Sequence, residues 1–277
     1  MTKQFVLALT LAVLGLVACK GKPDPQPAAG ASPGPAKPAE PVSLNGAGAT
    51  FPYPLYSKWI AEYGKVNTNL RINYQSIGSG GGIRQMIAGT VDFGATDAPM
   101  SEEEAKGSPK KIVHVPTILG AVVLAYNLEG VSDLKISPEV LAGIYLGKIK
   151  KWNDPKIVAD NPDAKLPAKD MNAVFRSDGS GTTAVFTDYL TKVSPEFKDK
   201  VGSGKSVSWP GGVGAKGNEG VTGQVKTTPG GIGYLELAYA TQNNLSIAAL
   251  RNKAGEFVKP SIEATSAAAA GVALPES

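Results

Sequence analysis

Strand-period and helix-period segments alternate from Val42 to Val258, and the turns between them are rich in Gly, Ser and Thr. That alternation constrains the fold more than any other feature. A strand–helix–strand repeat buries its apolar faces by laying helices against a mostly parallel sheet, so an α/β architecture follows. Leu70, Ile72 and Tyr74 alternate with Arg71, Asn73 and Gln75 as in a strand. Ile83, Met86 and Ile87 then follow at helical spacing. Ile112, Val113 and Val115, and the run Ala121–Ala125, read as buried strands. Ser137-Pro138 reads as N-cap and first position of a helix carrying Val140, Leu141, Ile144 and Tyr145. Asn172–Phe175 reads as a strand, and Val185, Phe186, Tyr189 and Leu190 form another helical face. Ile232–Leu237 is a strand running into a helix. Ile247–Arg251 and Glu256–Lys259 flank Lys253-Ala254-Gly255 as a hairpin.

The N-terminal forty residues have a different texture. Lys3 precedes an apolar run from Phe5 to Ala18 that is too short to span a bilayer and suits the core of a signal peptide. The run ends Leu16-Val17-Ala18-Cys19, which resembles the lipobox of bacterial lipoproteins and makes Cys19 the lipidation site. Residues 20–41 hold no apolar residue larger than Ala or Pro, so they form no core. As polyproline II at about 3.1 Å per residue, they make a tether of roughly 70 Å. The chain divides into a signal peptide at 1–18, the lipidated Cys and tether at 19–41, and a globular body.

Composition removes several functions. The single Cys excludes an intrachain disulfide and a Cys-built zinc site, and the single His excludes a His-rich metal centre. A net charge of +4 over 277 residues gives no argument for a nucleic-acid partner.

Three turns each open a helix: Ala47-Gly48-Ala49-Thr50-Phe51-Pro52, Ile77-Gly78-Ser79-Gly80-Gly81-Gly82, and Arg176-Ser177-Asp178-Gly179-Ser180-Gly181-Thr182. Behind the first, Leu55, Trp59, Ile60 and Tyr63 fall at helical spacing. Each turn offers hydroxyls and free N–H groups at the positive end of a helix, which is the local chemistry of an anion site. One such turn is an ordinary cap. Three in one α/β chain, one with an Arg attached, point to an oxyanion. Arg176 ends a strand where its guanidinium can clamp an oxyanion, and Asp178 is placed to hold it. Asp97 lies at another strand end. A carboxylate facing an anion is repulsive unless the anion carries a proton to donate. Monohydrogen phosphate does and sulfate does not, so Asp97 reads as a discriminator.

The segments LNGAGATFPYPLYSKW, YQSIGSGGGIRQMIAGTVDFGATDAPMS, PTILGAVVLAYN, YLGKIKKWND, DGSGTTAVFTDYL, KGNEGV and GGIGYLELAYA occur in that order. They resemble the phosphate-binding receptors of bacterial high-affinity ABC phosphate transporters, from about Val42 to about Val258. The resemblance implies a two-lobed periplasmic-binding-protein fold of type 2, with a hinge and a central cleft, lobe 1 at 42–117 and lobe 2 from 118 to 277. It implies phosphate ligands at Thr50, the Phe51 N–H, Ser79, Asp97, Arg176, Ser180, the Gly181 N–H and Thr182, with Asp178 supporting Arg176. It also implies a membrane permease and its ATPase as partners, with no cofactor and no metal. Family members return to lobe 1 after the second lobe. This sequence ends at Pro275-Glu276-Ser277, so the C-terminal part of lobe 1 is expected to be missing.

Other classes fit less well. A G-x-S-x-G nucleophile elbow needs Gly two residues before its Ser, where Asp178 and Ile77 stand before Ser180 and Ser79. A P-loop ending at Gly204-Lys205-Ser206 would need Gly where Asp199 stands. His114, in a run read as strand, is a structural residue on this reading, so the protein is not read as an enzyme. A receptor for sulfate or molybdate and a truncated surface lipoprotein without a ligand are the alternatives. Trp59, Trp152 and Trp209 read as core or hinge packing. Lys148-Ile149-Lys150-Lys151 reads as a solvated face. Capture then proceeds by closure of a hinge near Ile118 over the anion.

Overall fold

The computed structural model describes residues 41–271; the expected signal peptide, the expected lipidation site Cys19, the expected tether up to residue 40 and residues 272–277 lie outside the described residues. In chain order the first part is β1 (Val42–Gly48), α1 (Tyr53–Val66), β2 (Leu70–Ser76), α2 (Ser79–Ala88), β3 (Phe93–Ala95) and α3 (Glu102–Lys106). β1 lies between β2 and β3 and is parallel to both. The second part continues with β4 (Val122–Tyr126), β5 (Lys135–Ile136), α4 (Pro138–Tyr145), α5 (Pro155–Asp160), β6 (Asn172–Arg176), α6 (Gly181–Val193) and α7 (Pro195–Lys200). It ends with β7 (Val213–Ala215), α8 (Gly217–Thr227), β8 (Gly231–Glu236), α9 (Leu237–Gln242), β9 (Ser246–Ile247), β10 (Ala249–Arg251), β11 (Phe257–Val258) and α10 (Ile262–Ala270).

The second sheet has the order β7-β6-β8-β4-β9. β6 is parallel to β7 and β8, whereas β4 is antiparallel to β8 and β9. The sheet is therefore mixed, a correction to the mostly parallel expectation. β4 arrives from the first part of the chain rather than from a strand–helix unit within its own sheet, and it runs against its neighbours. The expected hairpin is present as β10 and β11, with β5 completing a small third sheet.

Both faces of the second sheet are covered. Leu124, Tyr126, Ile232 and Tyr234 pack with Val140, Leu141 and Ile144 of α4 and with Phe186 and Leu190 of α6. On the other face Val123, Ala125, Val174 and Leu235 pack with Val221 and Val225 of α8. Two covered faces explain why these strands read as apolar runs rather than alternating ones. Trp152 is fully buried, its indole N–H donating to the Gly230 carbonyl at 3.1 Å. Trp209 packs beside Tyr145, Phe175 and Tyr234. Within the basic run, Ile149 is buried, while Lys148 and Lys151 pair with Glu196 and Asp170 at the surface.

The first sheet is covered far more thinly. Ala47, Ala49 and Ile83 are its buried apolar residues among the described ones. α1 forms where Leu55, Trp59, Ile60 and Tyr63 predict it, yet none of its residues is buried. Trp59 and Tyr63 are each 46% exposed and Val66 83%. Trp59 thus departs from the core expectation; it stacks on Tyr56, whose ring meets Tyr74 edge-on.

Residues 111–121 form no strand, and Val113 and Val115 are exposed. Their β-branched run matches a strand locally, but no described strand lies alongside to complete a ladder. His114 correspondingly sits outside any strand, its Nε2 accepting the Met100 N–H at 3.2 Å. Ser137 occupies the N-cap position of α4 without a side-chain cap bond; its N–H instead donates to Asp160 at 2.7 Å.

Candidate anion-binding site

The third turn gives the site its charge. Arg176 ends β6 with its side chain almost completely buried. Its Nε donates to Asp178 Oδ1 at 2.7 Å and its Nη2 to Asp178 Oδ2 at 2.5 Å. This bidentate pair fixes the plane of the guanidinium and leaves Nη1 to point elsewhere, at 3.4 Å from Thr182 Oγ1. Burial alone pushes the Asp178 carboxyl up, but Arg176 outweighs it and holds the group below its ordinary value. Asp178 Oδ1 also accepts the Gly217 N–H at 3.0 Å, which ties the first turn of α8 to the same centre.

Ser180 is the N-cap of α6, its Oγ accepting the Thr183 N–H at 3.0 Å. That bond uses a lone pair and leaves the hydroxyl proton free to donate. Ser79 opens α2 and is buried. Its Oγ accepts the Asp97 N–H at 3.3 Å, so it too retains its proton. The two turns touch directly, because the Gly80 N–H donates to the Gly179 carbonyl at 2.8 Å. Glycine is needed at this junction. A Cβ on Gly181 would lie 2.5 Å from Ser79 Oγ and 2.6 Å from Asp97 Cβ. Gly78 has φ +87°, and a Cβ there would strike the Asp178 carboxylate.

Asp97 follows β3 and meets the second half of the molecule. Its Oδ2 accepts from Thr182 Oγ1 at 2.9 Å. Its Oδ1 is buried with no hydrogen-bond partner. Burial pushes this carboxyl up to about 6, against the pull of Thr182 and Arg176. Thr50 ends the approach from β1 and is buried. Its Oγ1 accepts from the Asn218 N–H at 3.0 Å and from Asn218 Nδ2 at 2.7 Å. Phe51 is half-buried, its ring against Gly120. The eight candidate ligands thus come from four segments distant in sequence. Thr182 touches Asp97 and Arg176, Gly181 abuts Ser79 and Asp97, and Asn218 bridges Thr50 to Thr182 at 3.4 Å.

Residues 35–275 match the family model described as the PBP superfamily domain. The chain is 54% identical over 230 residues to the phosphate-binding protein PstS of Pasteurella multocida, covering 82% of this chain and 66% of that protein. It is 47% identical over 273 residues to PstS of Xylella fastidiosa (96% and 74%) and 52% identical over 233 to PstS of Haemophilus influenzae (83% and 69%). This chain belongs to the PstS phosphate-binding protein family. It spans 66% to 74% of the length of these PstS relatives. Two solved structures share the fold. One is a putative phosphate ABC transporter substrate-binding protein with bound phosphate from Clostridium perfringens (TM-score 0.60, 19% identity, 76% of each chain). The other is the high-affinity periplasmic phosphate-binding protein PfluDING bound with phosphate (TM-score 0.65, 24% identity, 85% of this chain and 69% of that one).

Within this chain the structure adds residues that the sequence reading did not single out. Asn218 carries the contacts just described. Glu236 is buried at the end of β8, its carboxylate capping α9 by accepting the Ala238 N–H at 2.7 Å. Burial raises its carboxyl to about 7. Tyr239 donates to the Thr50 carbonyl at 2.6 Å and lies 3.0 Å from Glu219, which also accepts from Ser76 Oγ at 3.0 Å. The one available signal was the segment Gly217-Asn218-Glu219-Gly220, a polar helix start resembling the other turns. It follows no strand-ending Arg and carries no hydroxyl.

Proposed function

We propose that this chain captures inorganic phosphate in the bacterial cell envelope and delivers it to the membrane permease and ATPase of an ABC phosphate importer. One observation carries the reading. A guanidinium neutralised and oriented by its own carboxylate meets, through Thr182 Oγ1, the Asp97 carboxylate, whose other oxygen is buried and lacks a partner. Donors alone would serve any oxyanion. An unsatisfied acceptor in the same dry site serves an oxyanion that still carries a proton.

In this mechanism Arg176 Nη1, the hydroxyls of Thr50, Ser79 and Ser180, and the N–H groups of Phe51 and Gly181 replace the water around phosphate, and Thr182, whose proton goes to Asp97 Oδ2, completes the lining. Asp97 accepts the proton of monohydrogen phosphate, which relieves the cost of its own burial. Sulfate brings no proton and leaves two negative charges facing. The capturing lobes are residues 42–117 and 118–277, closing about a hinge near Ile118. Cys19, after removal of residues 1–18, holds the receptor to a membrane through acyl chains, and residues 20–41 supply the reach. No cofactor, metal or nucleic acid takes part.

Calorimetric titration of the full chain with phosphate and then with sulfate at pH 7.5 tests this reading. Saturable binding of phosphate, at least a hundredfold tighter than sulfate, is expected. Equal affinity for the two anions, or no heat with either, overturns it.

A further inference from the structure

We infer that Asn218 is a positioning residue that fixes the direction of the Thr50 and Thr182 hydroxyl protons and so sets the site to anions; the inference rests on the phosphate-capture reading above. The orientation of its amide is set by Glu236. The Glu236 backbone N–H can only donate, and it lies 2.9 Å from Asn218 Oδ1. The carbonyl oxygen must therefore face Glu236, which puts Nδ2 on the other side. Nδ2 has two protons. One goes to Thr50 Oγ1 at 2.7 Å and the other points to Thr182 Oγ1 at 3.4 Å.

The consequence falls on Thr50. A hydroxyl has two lone pairs and one proton. Thr50 Oγ1 accepts from both the backbone N–H and the side-chain amide of Asn218, so both lone pairs are engaged. Its proton is left to donate outward. Thr182 Oγ1 similarly faces Asn218 Nδ2 and Arg176 Nη1 and donates to Asp97. Neither hydroxyl is free to turn a lone pair to the ligand. Asn218 itself is fully buried, and its backbone carbonyl accepts from Thr222 Oγ1 at 2.7 Å, which anchors the residue in the first turn of α8. Asn218 need not touch the anion to decide which anions Thr50 accepts.

Isosteric substitution separates this role from packing. Asn218→Asp keeps the size and keeps an oxygen for the Glu236 N–H, but replaces the Nδ2 donor by an acceptor. The Thr50 proton then turns to the introduced carboxylate and away from the ligand. Asn218→Ala deletes the donor and leaves the hydroxyl free to rotate. Titration with phosphate should give affinities in the order parent, Asn218→Ala about tenfold weaker, and Asn218→Asp a further tenfold weaker or more. A packing role predicts the reverse order of the two variants. Both variants are also made in a Thr50→Val background, which has no proton to misdirect. There the step between Ala and Asp should shrink at least threefold, whereas simple charge repulsion would leave it unchanged. If the Asp variant does not fold, the Asn218→Ala and Thr50→Val pair still forms a cycle, with a combined loss smaller than the product of the single losses. Equal affinity of the two Asn218 variants, an unchanged step, or multiplicative losses overturn the inference while phosphate binding by the parent stands. Failure of the parent to bind phosphate overturns both.

Discussion

The two sheets of this molecule are built from the same kinds of segment and are stabilised differently. The second sheet is sealed on both faces by α4, α6 and α8, with Leu141, Leu190, Val174 and Tyr234 fully buried. The first contributes Ala47, Ala49 and Ile83 to the interior and leaves α1 without a buried residue. Yet two polar residues in the turns that follow strands of the first sheet, Thr50 and Ser79, are buried. What they are buried against is the other half: Asn218 for Thr50 and Gly181 for Ser79. The first sheet is thus held in place substantially by the polar contacts of the candidate anion site. Apolar burial supplies little there, and polar complementarity across the junction supplies more.

Arg176→Ala should break the comparison most severely. It leaves Asp178 charged and mostly shielded from water with the Gly217 N–H as its remaining partner, and should destabilise the protein by about 3 kcal/mol in urea unfolding. Phosphate binding should be lost in any fraction that remains folded. Leu141→Ala, in the sealed core, should cost about 2–5 kcal/mol. Tyr63→Ser on α1 should cost under about 1 kcal/mol, because its ring is half in water already. Equal costs for these two substitutions would mean the sheets are not stabilised differently.

Asp97→Asn should act in the opposite direction. The native carboxyl titrates near 6 against 3.8 for an ordinary Asp, so between those values the native state holds the extra proton. Anion-free stability therefore falls as pH rises from about 4 to about 6, and the full cost is present above 6. Removing the charge should raise anion-free stability at pH 7 by up to about 3 kcal/mol and leave it unchanged near pH 3. Thermal melts across this range measure it, and a gain that persists at low pH would contradict the assignment. The smallest effect belongs to the rim. Lys205 pairs with Glu104 across the junction at 2.8 Å, both partly exposed, so Lys205→Ala should cost about 0.2–1 kcal/mol and less in high salt.

Much of the site was legible because its chemistry is local. Arg176 and Asp178 stand two residues apart, so one turn suffices to pair them, and the pair is there. Ser180 caps α6 because its hydroxyl satisfies an orphan N–H there, and Ser79 begins α2 just behind the Gly78 cap. Asn218 was not legible in this way. Its partners, Thr50 and Glu236, lie 168 and 18 residues away in sequence, and only the packing of α8 brings them together. The exposed face of α1 and the unpaired run 111–121 failed for a related reason. Periodicity tells which face of a segment is apolar, not whether a second layer or strand exists to cover it.

The most direct test of this account is amide hydrogen exchange on the full chain, without anion, with phosphate at 100 times its Kd, and with sulfate at the same concentration. Without anion, amides of β1 and α2 should exchange faster than those of β4 and β8. Phosphate should slow the β1 and α2 amides by about a hundredfold, and sulfate should leave them unmoved. The account is contradicted if β1 and α2 are already as protected as β8 without an anion, or if phosphate does not slow them.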